Sequence, residues 1–281
     1  MPASTVTLPA EVLPEQQSVG FWTSSRLVGA TILLALGLFA FLGPVLIEAD
    51  PLSQDYDAVL VAPGDAEHWL GTDQFGRSML ARLAHGARLS FVMALLTAAS
   101  AALPGIALGI LAAWHGGWVE RALVGLSDVV LALPGLLLVL LLLAFAPGSF
   151  GPLYLGLALY LWVEFFRVAR IEAARVFTQP VVEATLRLGF GWGYILRRLL
   201  LPALALPMLT LFAFAMGSAV VAVSTLSAIH VGLRPPTPEL GAIIVELMPH
   251  YSEAPWQVLM PATAIFLLVL SLQLFAGAKP K

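Results

Sequence analysis

Four stretches of the chain run without a charged residue for longer than a soluble domain tolerates: Leu27 to Ile47, Ser90 to Ala113, Leu199 to Ile229 and Ala254 to Ala278. Two more, Ala122 to Phe145 and Pro147 to Phe166, hold one acid each, Asp128 and Glu164. A helix rises about 1.5 Å per residue, so about 20 apolar residues cross a hydrocarbon layer of about 30 Å. All six stretches reach that length, which predicts an all-α integral membrane protein with six spans. Composition agrees, with 59% of the 281 residues hydrophobic and 11% charged, against about a quarter charged in soluble domains. The absence of cysteine excludes a disulfide framework and a thiolate metal site. The first apolar run is too long for a signal-peptide core and lacks a basic leader, so it reads as an uncleaved first span.

Orientation follows from where lysine and arginine fall in the short loops. With a cytoplasmic N-terminus, the inner segments hold Arg26, Arg121, Arg167, Arg170, Arg175, Arg187, Arg197, Arg198, Lys279 and Lys281. The outer segments hold Arg77, Arg82, Arg88 and Arg234. This bias places both termini in the cytoplasm and leaves segments 48–89 and 230–253 outside. The chain divides accordingly into a cytoplasmic N-terminal segment, 1–26; the first span with an outer loop and an amphipathic helix, 27–89; and a transmembrane domain, 90–278.

Within the outer loop, "SMLARLAHGARLS" repeats Met79, Leu80, Leu83 and Ala87 at three- and four-residue spacing, the pattern of an amphipathic helix lying along the membrane surface with snorkelling arginines. Gly105 and Gly109 form a small-xxx-small pair suited to close helix approach, and Trp114 and Trp118 stand at interface depth. In the last outer loop Pro235, Pro236 and Pro238 force an extended stretch, after which "LGAIIVELM" reads as a short helix folding back. Such a loop serves equally as a gate, a docking surface or a passive lid.

Two patterns mimic chemistry. "GTDQFGRS" has the spacing of a phosphate-binding loop, but Arg77 stands where lysine is wanted and no buried strand precedes it. The five histidines include no pair at helical ligand spacing, so no stable metal centre is expected; weak contact of His230 or His250 with a passing metal complex stays open. No framed serine nucleophile or aspartate pair points to hydrolysis. Asp128 lies about 15 Å into its span, where an acid costs roughly 2.5 to 3.5 kcal/mol against lipid; it must face a helix partner or a wet pathway. Glu164, three residues before Arg167, is expected in an interfacial ion pair, with a pathway role as the alternative.

The middle of the chain, "VVEATLRLGFGWGYILRRLLLPALALP", keeps charges and glycines between two apolar spans. Its Glu183, Ala184 and Thr185, then Gly189, then Leu199, Leu201 and Pro202 have the spacing that resembles the cytoplasmic coupling loop of ABC importer permeases. "HWLGTDQFGR", "ARLSF", "GGWVER", "SDVVLALP", "RPPTPELGA" and "SEAPW" occur in the order of the dipeptide/oligopeptide/nickel permease family, a likeness covering about residues 66–275. Departures from that pattern are Thr185 for alanine, Pro180 just before the motif, His230 at a glycine-like position, Leu240 where tryptophan is common, and a short C-terminal tail.

The resemblance implies a six-span permease subunit of an ATP-driven importer in a bacterial inner membrane. Segment 180–202 would form two short helices gripped by an ATPase, with Gly189 at the turn and Glu183 favouring a helix start. Implied partners are a related permease forming a heterodimer, two cytoplasmic ATPases carrying ATP and magnesium, an outer substrate-binding protein and membrane lipid, but no nucleic acid. The chain itself would hold no cofactor, no metal and no catalytic site. Its cargo would be short peptides or nickel and metal-chelate complexes, with His230 and Arg234 as candidates for an outer gate. An ion channel or a membrane scaffold without ATPases is the alternative, and it leaves the loop spacing a coincidence.

Overall fold

The computed structural model describes residues 23–233 and 236–277; Arg234 and the first 22 residues lie outside them. The first helix, α1, spans Ser24–Leu46 and is capped by the Thr23 side chain. Then come α2 (Met79–His115), α3 (Gly117–Leu131), α4 (Gly135–Leu143), α5 (Phe150–Phe177), α6 (Pro180–Arg187), α7 (Trp192–Ile195), α8 (Leu201–Ala228), α9 (Leu240–Leu247) and α10 (Pro255–Ala276). A π-helical turn, Leu196–Leu200, joins α7 to α8.

Five helices are long and apolar enough to cross a membrane unbroken, and α3 with α4 makes a sixth crossing bent by 75°. The third span, expected to be continuous from Ala122 to Phe145, breaks at Pro134. A proline has no N–H to donate and drives the residue before it away from helical geometry, so α3 stops at Leu131 and the chain restarts at Gly135.

The expectation of a separate surface helix before the second span is corrected. Residues 79–89 are the first turns of α2, which runs unbroken for 37 residues, about 55 Å. Its arginine Arg82 does not snorkel: it is fully buried, held by Asp73 of the preceding loop and by Glu246 from far along the chain. Ser78 caps the helix through Ala81 N–H.

The core is a seam between α2 and α5. Ala94, Ala98, Ala101, Ala102 and Ala112 face Phe165, Phe166, Ala169 and Ala173. At Gly105 an added Cβ would stand 2.6 Å from the Trp162 carbonyl and at Gly109 2.6 Å from that of Phe166. The small-residue pair therefore meets α5 of the same chain, because without a hydrophobic driving force in lipid, helices gain by close packing. On the flank, α1 lies antiparallel to α10, with Gly29 against Ser271, Leu274 and Phe275.

These contacts sort the bundle into two ends. At one end Val258 of α10 packs on Ile243 and Leu247 of α9, beside the loop after α1. At the other, Trp114 of α2 and Phe177 of α5 meet Trp192 of α7. The starts of α1 and the finish of α10 both lie at this second end, as six crossings require.

Candidate functional site

The loop between α5 and α8 is built from local rules. Gln179 precedes α6 and Pro180 occupies its opening turn, where a missing N–H costs nothing and the fixed φ suits the helix. Glu183 sits in the first turn, where the helix dipole favours an acid, and forms a 2.5 Å ion pair with Arg187. Val182 and Thr185 turn inward while Ala184 is exposed. The Thr185 hydroxyl donates to the Val181 carbonyl at 2.6 Å, so the residue that departs from the resembled pattern is internally satisfied.

Gly189 ends the helix. Its φ is +85°, a left-handed geometry that costs other residues roughly 1–2 kcal/mol. Phe190 N–H bonds the Thr185 carbonyl at 3.2 Å and Gly189 N–H that of Leu186 at 3.0 Å, the paired bonds of a Schellman turn. Two short helices, α6 and α7, thus flank Gly189. The second is not separate: through the π turn it runs directly into α8, carrying exposed Arg197 and Arg198.

Of the three motif residues at this junction, Leu199 is half-buried and Leu201 and Pro202 are exposed. The residues that hold the loop to the bundle are Val182, Ile195 and Leu200, buried in the same core as Ala173 and Val176, together with Trp192. The Trp192 ring lies 4.8 Å from that of Trp114 and edge-on to Phe177 at 6.0 Å. Spacing alone had no signal for these anchors beyond an aromatic residue in a loop. Leu188 and Phe190 stay exposed on either side of Gly189, apolar surface of the kind that marks a contact site.

The acids of α3 and α5 divide differently from expectation. Asp128 of α3 pairs with Arg167 of α5 at 2.7 Å, and Glu120 with Arg170 at 2.5 Å. With Arg167 engaged by Asp128, the expected Glu164–Arg167 pair does not form. Residues three apart on α5 share a face, but the Arg167 guanidinium is taken by Asp128 of the neighbouring α3. Glu164 instead lines a cleft of about 550 Å3 between α4, α5, α8 and α10.

At the α9 end the segment resembling a phosphate loop folds around its own aspartate. The Asp73 carboxylate accepts from Phe75 N–H at 2.8 Å and Arg77 N–H at 3.0 Å, so it fills the place an anion would take. Arg77 contacts Asp73 at 2.6 Å and Glu246 at 2.9 Å, and Arg82 bridges the same two acids, reaching Glu246 at 2.6 Å. The i, i+4 spacing of Asp73 and Arg77 was readable; Glu246, far along the chain, was not. Gln257 of α10 donates to the Thr72 carbonyl.

The expected fold-back helix is α9. Its N-cap Glu239 accepts from Ala242 N–H at 2.9 Å and from the Ser224 hydroxyl at 3.0 Å. His230 is exposed with φ +61°, which suits its glycine-like position, and Arg234 lies outside the described residues. Among the described residues no three His, Cys, Asp or Glu side chains cluster as a metal site.

Residues 105–278 match the family described as the binding-protein-dependent transport system inner membrane component. The dipeptide transport system permease protein DppC of Haemophilus influenzae is 28% identical over 280 residues, covering 95% of this chain and 94% of that protein. The di/tripeptide transport system permease protein DppC of Pseudomonas aeruginosa is 30% identical over 265 residues, covering 90% and 87%. The glutathione transport system permease protein GsiD of Pectobacterium atrosepticum is 29% identical over 262 residues, covering 90% and 86%. An all-helical bundle with a family match over most of its spans and relatives aligned along nearly its whole length leaves one conclusion: the chain belongs to the binding-protein-dependent transport family, as a permease subunit of an ABC importer of the peptide/oligopeptide group.

Proposed function

We propose that this subunit forms half of a translocation pathway for short peptides, pairing with a related permease and working with two ATPases that carry ATP and magnesium and with an outer binding protein. The names of its relatives favour peptides over nickel or metal-chelate cargo. The observation that carries the mechanism is the Schellman turn at Gly189, with the loop's inner face anchored in the core and its outer face apolar and exposed. In this reading Glu183, Ala184, Thr185 and Gly189 present α6 to an ATPase. Leu199, Leu201 and Pro202 sit where the loop passes into α8, so a push on the loop tilts that span. The cleft beside Glu164 is the subunit's share of the pathway, Asp128 is an interhelical tie, and exposed His230 belongs to the outer gate with Arg234. The chain itself carries no catalytic or nucleotide site in this reading. The loop end and both termini face the cytoplasm of a bacterial inner membrane.

Purification of the tagged chain from a membrane expressing the whole importer tests this. The second permease and the ATPases should come down with it, and single cysteines at Gln179 and Thr237 should label only from the cytoplasmic and outer sides respectively. Reversed labelling, or purification without ATPases, would overturn the reading in favour of a channel or scaffold.

A further inference from the structure

A broken span and an unpartnered acid open onto the same cleft. Pro134 and Gly135 from the 75° break form one wall. Tyr160 and Glu164 of α5, Ser218 of α8 and Gln273 of α10 form others. At the break the last carbonyls of α3 lose their helical partners, and irregular backbone at membrane depth persists only inside protein or beside water. At Gly135 the Tyr160 ring comes close to the backbone, since an added Cβ would stand 2.6 Å from it.

The acid is the second, independent observation. Among the described residues no hydrogen bond or ion pair reaches the Glu164 carboxylate. The two arginines one and two turns further along α5 are taken: Arg167 by Asp128 at 2.7 Å and Arg170 by Glu120 at 2.5 Å. No lysine, arginine or histidine lines the cleft. A carboxylate in such a place is costly unless water or a cation meets it. The wall therefore offers one carboxylate, a phenol hydroxyl, a serine and a threonine hydroxyl and an amide, and no positive charge.

We propose that this cleft is a cation-selective station, in which Glu164 receives a protonated amine of the cargo, the group carried by a free peptide N-terminus or a lysine side chain. The proposal rests on the cleft being part of the pathway. It explains why Asp128 has an arginine of the chain while Glu164, one turn from that same arginine, does not.

The chain has no cysteine, so Ser218→Cys gives this subunit a single thiol inside the cleft. In the assembled importer, its rate of modification is compared for two methanethiosulfonates of similar size, one bearing a trimethylammonium and one a sulfonate, each relative to a free thiol. The cationic reagent should be favoured by roughly five- to ten-fold, the order of magnitude for one unit charge within several ångströms in a wet cleft. Adding Glu164→Gln should bring the preference to within about two-fold. Glu164→Gln alone should slow uptake of a free-amine dipeptide while the permease pair and its ATPases stay together. Reaction with neither reagent would mean a dry cleft and would overturn the pathway reading itself. Equal reaction with both, or unaltered uptake by Glu164→Gln, would leave the pathway standing and sink the cation station. Separation of the permease pair by Glu164→Gln would also sink it, assigning the acid to the subunit interface.

Discussion

The two ends of the bundle contain the same kinds of residue and use them in opposite ways. At the α9 end the buried Arg77 and Arg82 share Asp73 and Glu246, tying the loop after α1 and the start of α2 to a helix 164 or more residues away. At the loop end Glu183 and Arg187 pair on the surface of one helix, both more than two-thirds exposed, and Leu188 and Phe190 lie open beside them. A buried charge must find its partner within the chain, because removing one member of such a set strands the others without water. An exposed pair sits in high dielectric and contributes little. The α9 end is thus finished by its own chain, and the loop end is left available to another.

The largest effect should come from breaking the buried set. Arg82→Leu leaves Asp73 and Glu246 with a single arginine and should destabilise the subunit by about 3–5 kcal/mol. The expected readout is a lowered thermal transition of the detergent-solubilised permease pair, or loss of accumulation in the membrane; wild-type stability would show that water, not Arg82, satisfies the acids.

Gly189→Val should have an intermediate effect of a different kind. A β-branched residue at φ +85° costs at least about 1–2 kcal/mol, with no steric neighbour within 4 Å to add to it. The bundle should therefore insert and pair normally, while ATPase association or coupled uptake falls. A stable variant that still couples would mean the turn tolerates rearrangement.

The smallest effect should follow Arg187→Ala, which removes the exposed ion pair at a cost of less than about 1 kcal/mol. Equal losses from Arg187→Ala and Arg82→Leu in the same thermal assay would erase the distinction between the ends.

Much of the architecture was legible because hydropathy acts locally. Each span is recognisable from its own residues, and the same holds for the fold-back helix α9 and the glycine turn at 189, whose geometry follows from capping chemistry within six residues. The failures share a cause. The surface helix before span two was read from an amphipathic pattern, yet Arg82 lies inside because Glu246 and Asp73 meet it there. The pair of Glu164 and Arg167 was read from spacing on one helix, yet Asp128 on a neighbouring helix took the arginine. The apolar run from Ala122 to Phe145 was legible as a span, but the 75° bend at Pro134 is a property of the folded chain.

The sequence by itself determined that the chain lies in a membrane as six crossings with a charged loop in the middle, and it carried the motif order of an importer permease. These properties arise from the cost of polar groups in lipid and from turn geometry, both felt within a few residues. Only the tertiary structure decided which charges neutralise which, that the small-residue face of α2 is spent on α5, that Trp192 locks the loop against Trp114 and Phe177, and that Glu164 is left facing a cleft. Those outcomes depend on helices brought together from opposite parts of the chain, where an interaction's worth is set by distance and burial that no local pattern encodes.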